Sequence, residues 1–154
     1  MKIENLDLFT EATKKVFEEV GFEISVSDTV KTGNNTEIVA NIGITGDASG
    51  FLILKSDIAS ASNFIKKMLA NLGMHAEEEA GFGQFHKEAM GELLNQISGR
   101  SMMLLEKNGY CCDITPPTLI IGENIFSKPA DARYVLNKSL TGSYGLFTLY
   151  VGIK

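Results

Sequence analysis

The sequence is poor in the residues on which the most easily recognised chemistries depend. Two of its 154 residues are cysteines and three are prolines. The cysteines, Cys111 and Cys112, are adjacent, and neighbours on a strand point to opposite faces, so a disulfide between them requires a strained turn. A disulfide-stapled secreted fold is therefore excluded, and two buried or half-buried thiols in a reducing compartment are expected. Histidine is equally scarce. His75 and His86 stand eleven residues apart with no further His or Cys at ligand spacing, so no metal site is expected. Neither a P-loop nor a dinucleotide-binding glycine fingerprint occurs, and Ser98 and Ser101 have no identifiable base to activate them. No apolar run approaches the roughly 18 residues that cross a bilayer. Positive charge is in deficit, with 14 Lys and Arg against 19 Asp and Glu and a net charge of −5. Such a chain lacks the electrostatic footprint of a nucleic-acid binder. Met1-Lys2-Ile3-Glu4-Asn5 leads directly into an acidic amphipathic helix without the features of a secretory leader, so a cytoplasmic location is expected.

What is present is ordinary globular composition, 44% hydrophobic and 21% charged, on a length typical of one domain. No linker or low-complexity segment divides it, and residues 1–154 read as a single domain. Apolar residues at helical spacing predict a first helix over Leu6–Val20, with Asn5 as N-cap and Gly21 as stop. Alternation then predicts strands around Phe22–Val26, Ile38–Ile44 and Phe51–Leu54, broken at Gly33-Asn34-Asn35 and at Gly46-Asp47-Ala48-Ser49-Gly50. Asp57 caps a second helix that ends at Asn71-Leu72-Gly73, and an acidic stretch, His75–Glu79, follows. A third helix runs from Phe82 or Phe85 to Leu105 or Lys107 and stops at Asn108-Gly109. Tyr110–Ile121 reads as a strand interrupted by Pro116-Pro117, which requires an edge position or a bulge. Arg133–Leu140 and Leu146–Val151 read as a closing hairpin. The pattern Ile44-Thr45-Gly46 with Gly50-Phe51-Leu52 is echoed by Leu140-Thr141-Gly142 with Gly145-Leu146-Phe147, a weak internal pseudo-repeat. The fold class is α+β, a mainly antiparallel sheet covered by about three helices.

The third helix is the informative segment. At about 100° per residue, Glu88, Glu92, Asn95 and Gly99 fall within about 60° of one another. Met90, Leu93, Leu94, Ile97 and Leu104 take the opposite side. The polar ridge is most simply a solvated face. Yet Asn is a poor interior helix former, because its amide competes for the backbone, and Gly91 and Gly99 each cost about 1 kcal/mol relative to Ala. Two such glycines beside the ridge point to another surface coming close.

The run Met90-Gly91-Glu92-Leu93-Leu94-Asn95-Gln96-Ile97-Ser98-Gly99, followed some twenty residues later by Pro116-Pro117-Thr118-Leu119-Ile120-Ile121-Gly122, resembles the CheC/CheX family of chemotaxis phosphatases. The opening helix with Phe9-Thr10-Glu11-Ala12-Thr13 and the Gly50-Phe51 hairpin fall in family order. A single Glu-x-x-Asn run and the chain length make it more CheX-like than CheC-like. The family usually has Asp or Ser four residues before the glutamate, where this chain has Glu88.

The resemblance implies hydrolysis of the aspartyl phosphate on a CheY-like receiver domain, with Glu92 and Asn95 as catalytic residues. Asn95 would hold the attacking water, since a carboxamide offers both a donor and an acceptor. Glu92 would pair with the receiver's lysine. Glu88 would border the partner, and Gly91 and Gly99 would let the helix approach it. The resemblance implies no cofactor in this chain, because the receiver carries the Mg²⁺, and it implies a homodimer joined through sheet edges. Two other readings stay open at this level: a non-catalytic receiver-binding module, kept open by Glu88, and a small-ligand domain.

Overall fold

The computed structural model describes residues 6–28, 36–74, 82–123 and 132–154. Their elements run α1 (Asp7–Glu19), β1 (Ser25–Asp28), β2 (Ile38–Gly46), β3 (Gly50–Ser56), α2 (Ile58–Asn71), α3 (Gln84–Lys107), β4 (Cys112–Ile114), β5 (Thr118–Ile121), β6 (Tyr134–Gly142) and β7 (Gly145–Ile153). Every described strand pairing is antiparallel, in the order β1-β6-β7-β3-β2-β4, with β5 also on β2. No described helix is long and apolar enough to cross a membrane.

Alternation decides which face the helices cover. Ile38, Ala40, Ile42 and Ile44 of β2, Leu52 and Leu54 of β3, and Phe147, Leu149, Val151 and Ile153 of β7 point into one core beneath the three helices. Val39, Ile53 and Tyr150 form a smaller cluster on the other face. An aromatic cluster joins α1, α2 and the β6 to β7 hairpin within the main core. There Phe22 stacks on Phe64 with ring centroids 4.5 Å apart, and Tyr144 and Phe147 meet Phe64 at 5.2 Å each. The buried Tyr144 hydroxyl donates to the Leu140 carbonyl at 2.8 Å, and burial raises its pKa.

The helix ends follow local chemistry. Asp57 Oδ1 accepts the Ser60 N–H at 2.6 Å and caps α2. Gly21 and Gly109 lie in the left-handed region just past α1 and α3. The strand expected from Phe22 begins only at Ser25, because the Phe22 N–H still donates to the Phe17 carbonyl and its ring turns into the aromatic cluster. Leu105, rather than Leu104, is the fully buried residue in the last turn of α3, with Leu104 half-buried. Both echo segments lie at hairpin turns, β2 to β3 and β6 to β7, the conformation that their Thr-Gly patterns favour. The Asn5 cap, the Gly33-Asn34-Asn35 break and the His75–Glu79 stretch lie outside the described residues.

Candidate functional site

α3 is held on two sides and beneath. Met90, Leu94, Ile97 and Leu105 are fully buried under it, and buried Ser101 spends its hydroxyl on the Ile97 carbonyl at 2.7 Å. On one flank Arg100 Nη2 donates to Glu19 Oε1 of α1 at 2.6 Å. On the other flank runs the segment between β4 and β5. Both of those strands pair with β2, and Thr115-Pro116-Pro117 bridges them where ladder donors are not needed. Thr115 takes over locally. Its N–H donates to the Gly43 carbonyl at 3.0 Å and its Oγ1 accepts the Gly43 N–H at 2.8 Å. The prolines thus stand at the sheet edge as their chemistry requires, and Pro117 comes to lie beside α3.

The predicted ridge faces outward between these flanks. Glu88 and Glu92 are exposed and Asn95 is half-buried. Glu88 accepts from Gln84 Nε2 at 3.3 Å, and Glu92 accepts from Gln96 Nε2 at 2.7 Å. Neither carboxylate forms an ion pair with a described residue. The Asn95 carboxamide makes no hydrogen bond to any described residue and keeps solvent access, so its donor and its acceptor are both uncommitted.

The two glycines sharpen this picture. Gly91 and Gly99 are the i−4 and i+4 neighbours of Asn95, so the row along the helix on either side of the amide carries no side chain. A Cβ at Gly91 would meet only Pro117 Cγ, at 3.7 Å, an ordinary contact. A Cβ at Gly99 would meet nothing within 4 Å. Packing within the described chain therefore requires neither glycine, although each costs α3 about 1 kcal/mol.

The remaining sequence candidates fall outside this site. His86 is buried, and its Nδ1 accepts the Gly83 N–H at 3.2 Å, closing the start of α3. Cys112 is half-buried and its Sγ accepts the Ala48 N–H at 3.4 Å. Cys111 corrects the expectation of two covered thiols. It is exposed, because Asp47 Oδ2 holds its backbone N–H at 2.7 Å in the segment leading into β4. Among the described residues no group of three His, Cys, Asp or Glu gathers as metal ligands. Three neighbours of the ridge were not among the sequence candidates, Gln84 at i−4 from Glu88 being the first. Gln96 was legible from its i+4 spacing to Glu92. The seating of Pro117 against Gly91 was not, since it depends on how β4 and β5 share β2.

A family model described as chemotaxis phosphatase CheX matches residues 38–137. A curated relative, the CheY-P phosphatase CheX of Thermotoga maritima, is 33% identical over 88 residues, which cover 57% of this chain and 54% of the relative. The chain thus matches about half the length of that protein. Among solved structures, chemotaxis protein CheX from Desulfovibrio desulfuricans superposes with a TM-score of 0.80 at 24% identity, over 98% of this chain and 99% of that one. A CheX–CheY–BeF3–Mg²⁺ complex from Borrelia burgdorferi contains a chain similar at a TM-score of 0.77 and 20% identity, over 99% of each. A CheC-like superfamily protein from Shewanella sp. PV-4 gives a TM-score of 0.81 at 18% identity, covering 100% and 99%.

Proposed function

Because the chain belongs to the chemotaxis phosphatase CheX family, we propose that it is a cytoplasmic phosphatase that hydrolyses the aspartyl phosphate of a CheY-like response regulator. An aspartyl phosphate is a mixed anhydride, and its hydrolysis needs water in line with phosphorus and neutralisation of charge on the departing carboxylate. The receiver supplies a Mg²⁺ and a lysine for the second requirement, and this chain brings no cofactor of its own. The first requirement falls to Asn95, whose carboxamide oxygen accepts from the water and fixes its approach. Little covalent chemistry is asked of the protein, as with the water-orienting glutamine of GTPases. Glu92 pairs with the receiver lysine and anchors the ridge, after releasing its hydrogen bond from Gln96. Glu88 borders the partner surface. Gly91 and Gly99 let the receiver close on the helix, so that the short Asn95 side chain reaches the phosphoryl group. The protein acts as a homodimer paired through sheet edges, of which the short β1 is one.

The observation that carries this reading is the uncommitted Asn95 amide between two glycines that the described chain does not need. Phosphate release from a phosphorylated receiver, measured with and without the protein, tests it. Asn95→Ala should lower the stimulated rate at least about a hundredfold while receiver binding persists. Glu92→Lys should weaken binding and turnover together, since the new cation meets the receiver lysine. Glu88, at a position where the family usually has Asp or Ser, favours one second reading, a receiver-binding module without catalysis. Tight binding of the phosphorylated receiver with unaccelerated release would decide for that module.

A further inference from the structure

Among the described residues, two exposed large apolar side chains stand on α3: Phe85, 39% exposed, and Met103, 58% exposed. Every other exposed side chain of this helix is polar. Neither residue belongs to the core or packs against it; Phe85 makes an edge-on contact with His86. The two are eighteen residues apart, which is five whole helical turns, so they lie at the same azimuth roughly 27 Å apart. Glu92 and Gln96 lie between them, each within about 20° of the joining line, and the bare row of Gly91, Asn95 and Gly99 runs alongside.

Resting on the function proposed above, we infer that Phe85 and Met103 are the two apolar anchors by which α3 grips the receiver domain and fixes its register on the ridge. Exposed charges give orientation and encounter rate more than affinity, and an amide whose work is done in the transition state adds little to ground-state binding. Affinity must come from apolar side chains that lose water on docking. Two such contacts at this separation define the direction of the rod on its partner, and the Glu92 contact between them fixes its rotation. Their separation matches the width of a standard interface, about 800 Å² per partner and so about 30 Å across. Charge selects the occupant. A second copy of this chain would set Glu88, Glu92 and Glu106 against the same face, which exposed Lys107 offsets only in part because Arg100 is already held by Glu19, and such net like-charge opposition disfavours it. A receiver brings a cation to that spot.

The test titrates the protein with a beryllofluoride-loaded CheY-like receiver and, in parallel, measures steady-state phosphate release from the phosphorylated form. Phe85→Ser and Met103→Ser should each raise Kd and KM about tenfold with kcat kept within about twofold, the reverse of the split given by Asn95→Ala. Phe85→Leu and Met103→Leu should restore most of the binding, and Val135→Ser, a change at an exposed apolar residue of β6, should alter neither constant. Parental thermal melts exclude a folding defect, and Met103, the more exposed of the pair, keeps the test decisive if Phe85→Ser melts early. Serine variants that bind as the parent does overturn the inference. A parent that binds but releases no phosphate, with binding lost in the serine variants, supports the anchors and removes the phosphatase reading. A parent that does not bind a receiver overturns both.

Discussion

α2 and α3 cover neighbouring parts of one sheet, yet the glycine packed against the first and those within the second obey opposite rules. Where α2 meets the β6 to β7 hairpin, Gly145 sits at φ +129°, and a Cβ there would come within 2.3 Å of Ser60 Oγ, a hydroxyl that itself accepts the Leu146 N–H at 3.1 Å. That glycine is dictated from within, by backbone conformation and by crowding. On α3, Gly99 has ordinary helical geometry and open space, and Gly91 has only Pro117 at van der Waals distance. The first region is built to be full, around Phe17, Phe22, Phe64, Tyr144 and Phe147. The second is built with room left over. Two helix-weakening residues where packing does not ask for them leave room that, on the proposed function, the receiver fills.

The contrast can be broken at its strongest point first. Phe64→Ala removes the ring on which Phe17, Phe22, Tyr144 and Phe147 converge, and should cost about 3–5 kcal/mol, read as a large fall in the denaturant midpoint. Gly145→Ala should cost about 1–3 kcal/mol by the same measurement, through backbone strain and displacement of Ser60. Gly99→Ala is the sharpening experiment and the smallest in energy. It should raise stability by up to about 1 kcal/mol while slowing receiver dephosphorylation, because the added methyl stands where the partner has to close. If Gly99→Ala is destabilising, α3 is packed in a way that the open space around Gly99 contradicts. If it is both stabilising and fully active, the room beside Asn95 serves no partner.

Much of this was legible in the chain because periodic features carry their own geometry. The outward set of Glu88, Glu92 and Asn95 and the inward set of Met90, Leu93, Leu94 and Ile97 follow from 3.6 residues per turn. Pro116-Pro117 announced a break at an edge because proline cannot donate to a ladder. What stayed hidden depends on contacts between residues far apart in sequence. The place of Pro117 against Gly91 follows from two short strands sharing one edge of β2, and the late start of β1 follows from the Phe22 ring preferring Phe64 to a strand face. The burial of Thr13 and Ser101 was not legible either, for a local reason. Thr13 and Ser101 can enter the core because each hydroxyl donates to the carbonyl four residues back, an option that polarity patterns do not register. A catalytic role for the ridge is suggested only by family resemblance, since a polar stripe alone does not separate solvation from catalysis.

In the proposed mechanism, one amide on a rigid helix aims water at another protein's phosphoryl group. Its most direct measurement is the single-turnover decay of a phosphorylated CheY-like receiver mixed with saturating amounts of the parent protein or of Asn95→Ala. The parent should accelerate decay, and the variant, still bound, should return it to the receiver's own intrinsic rate. Equal acceleration by both proteins would contradict it.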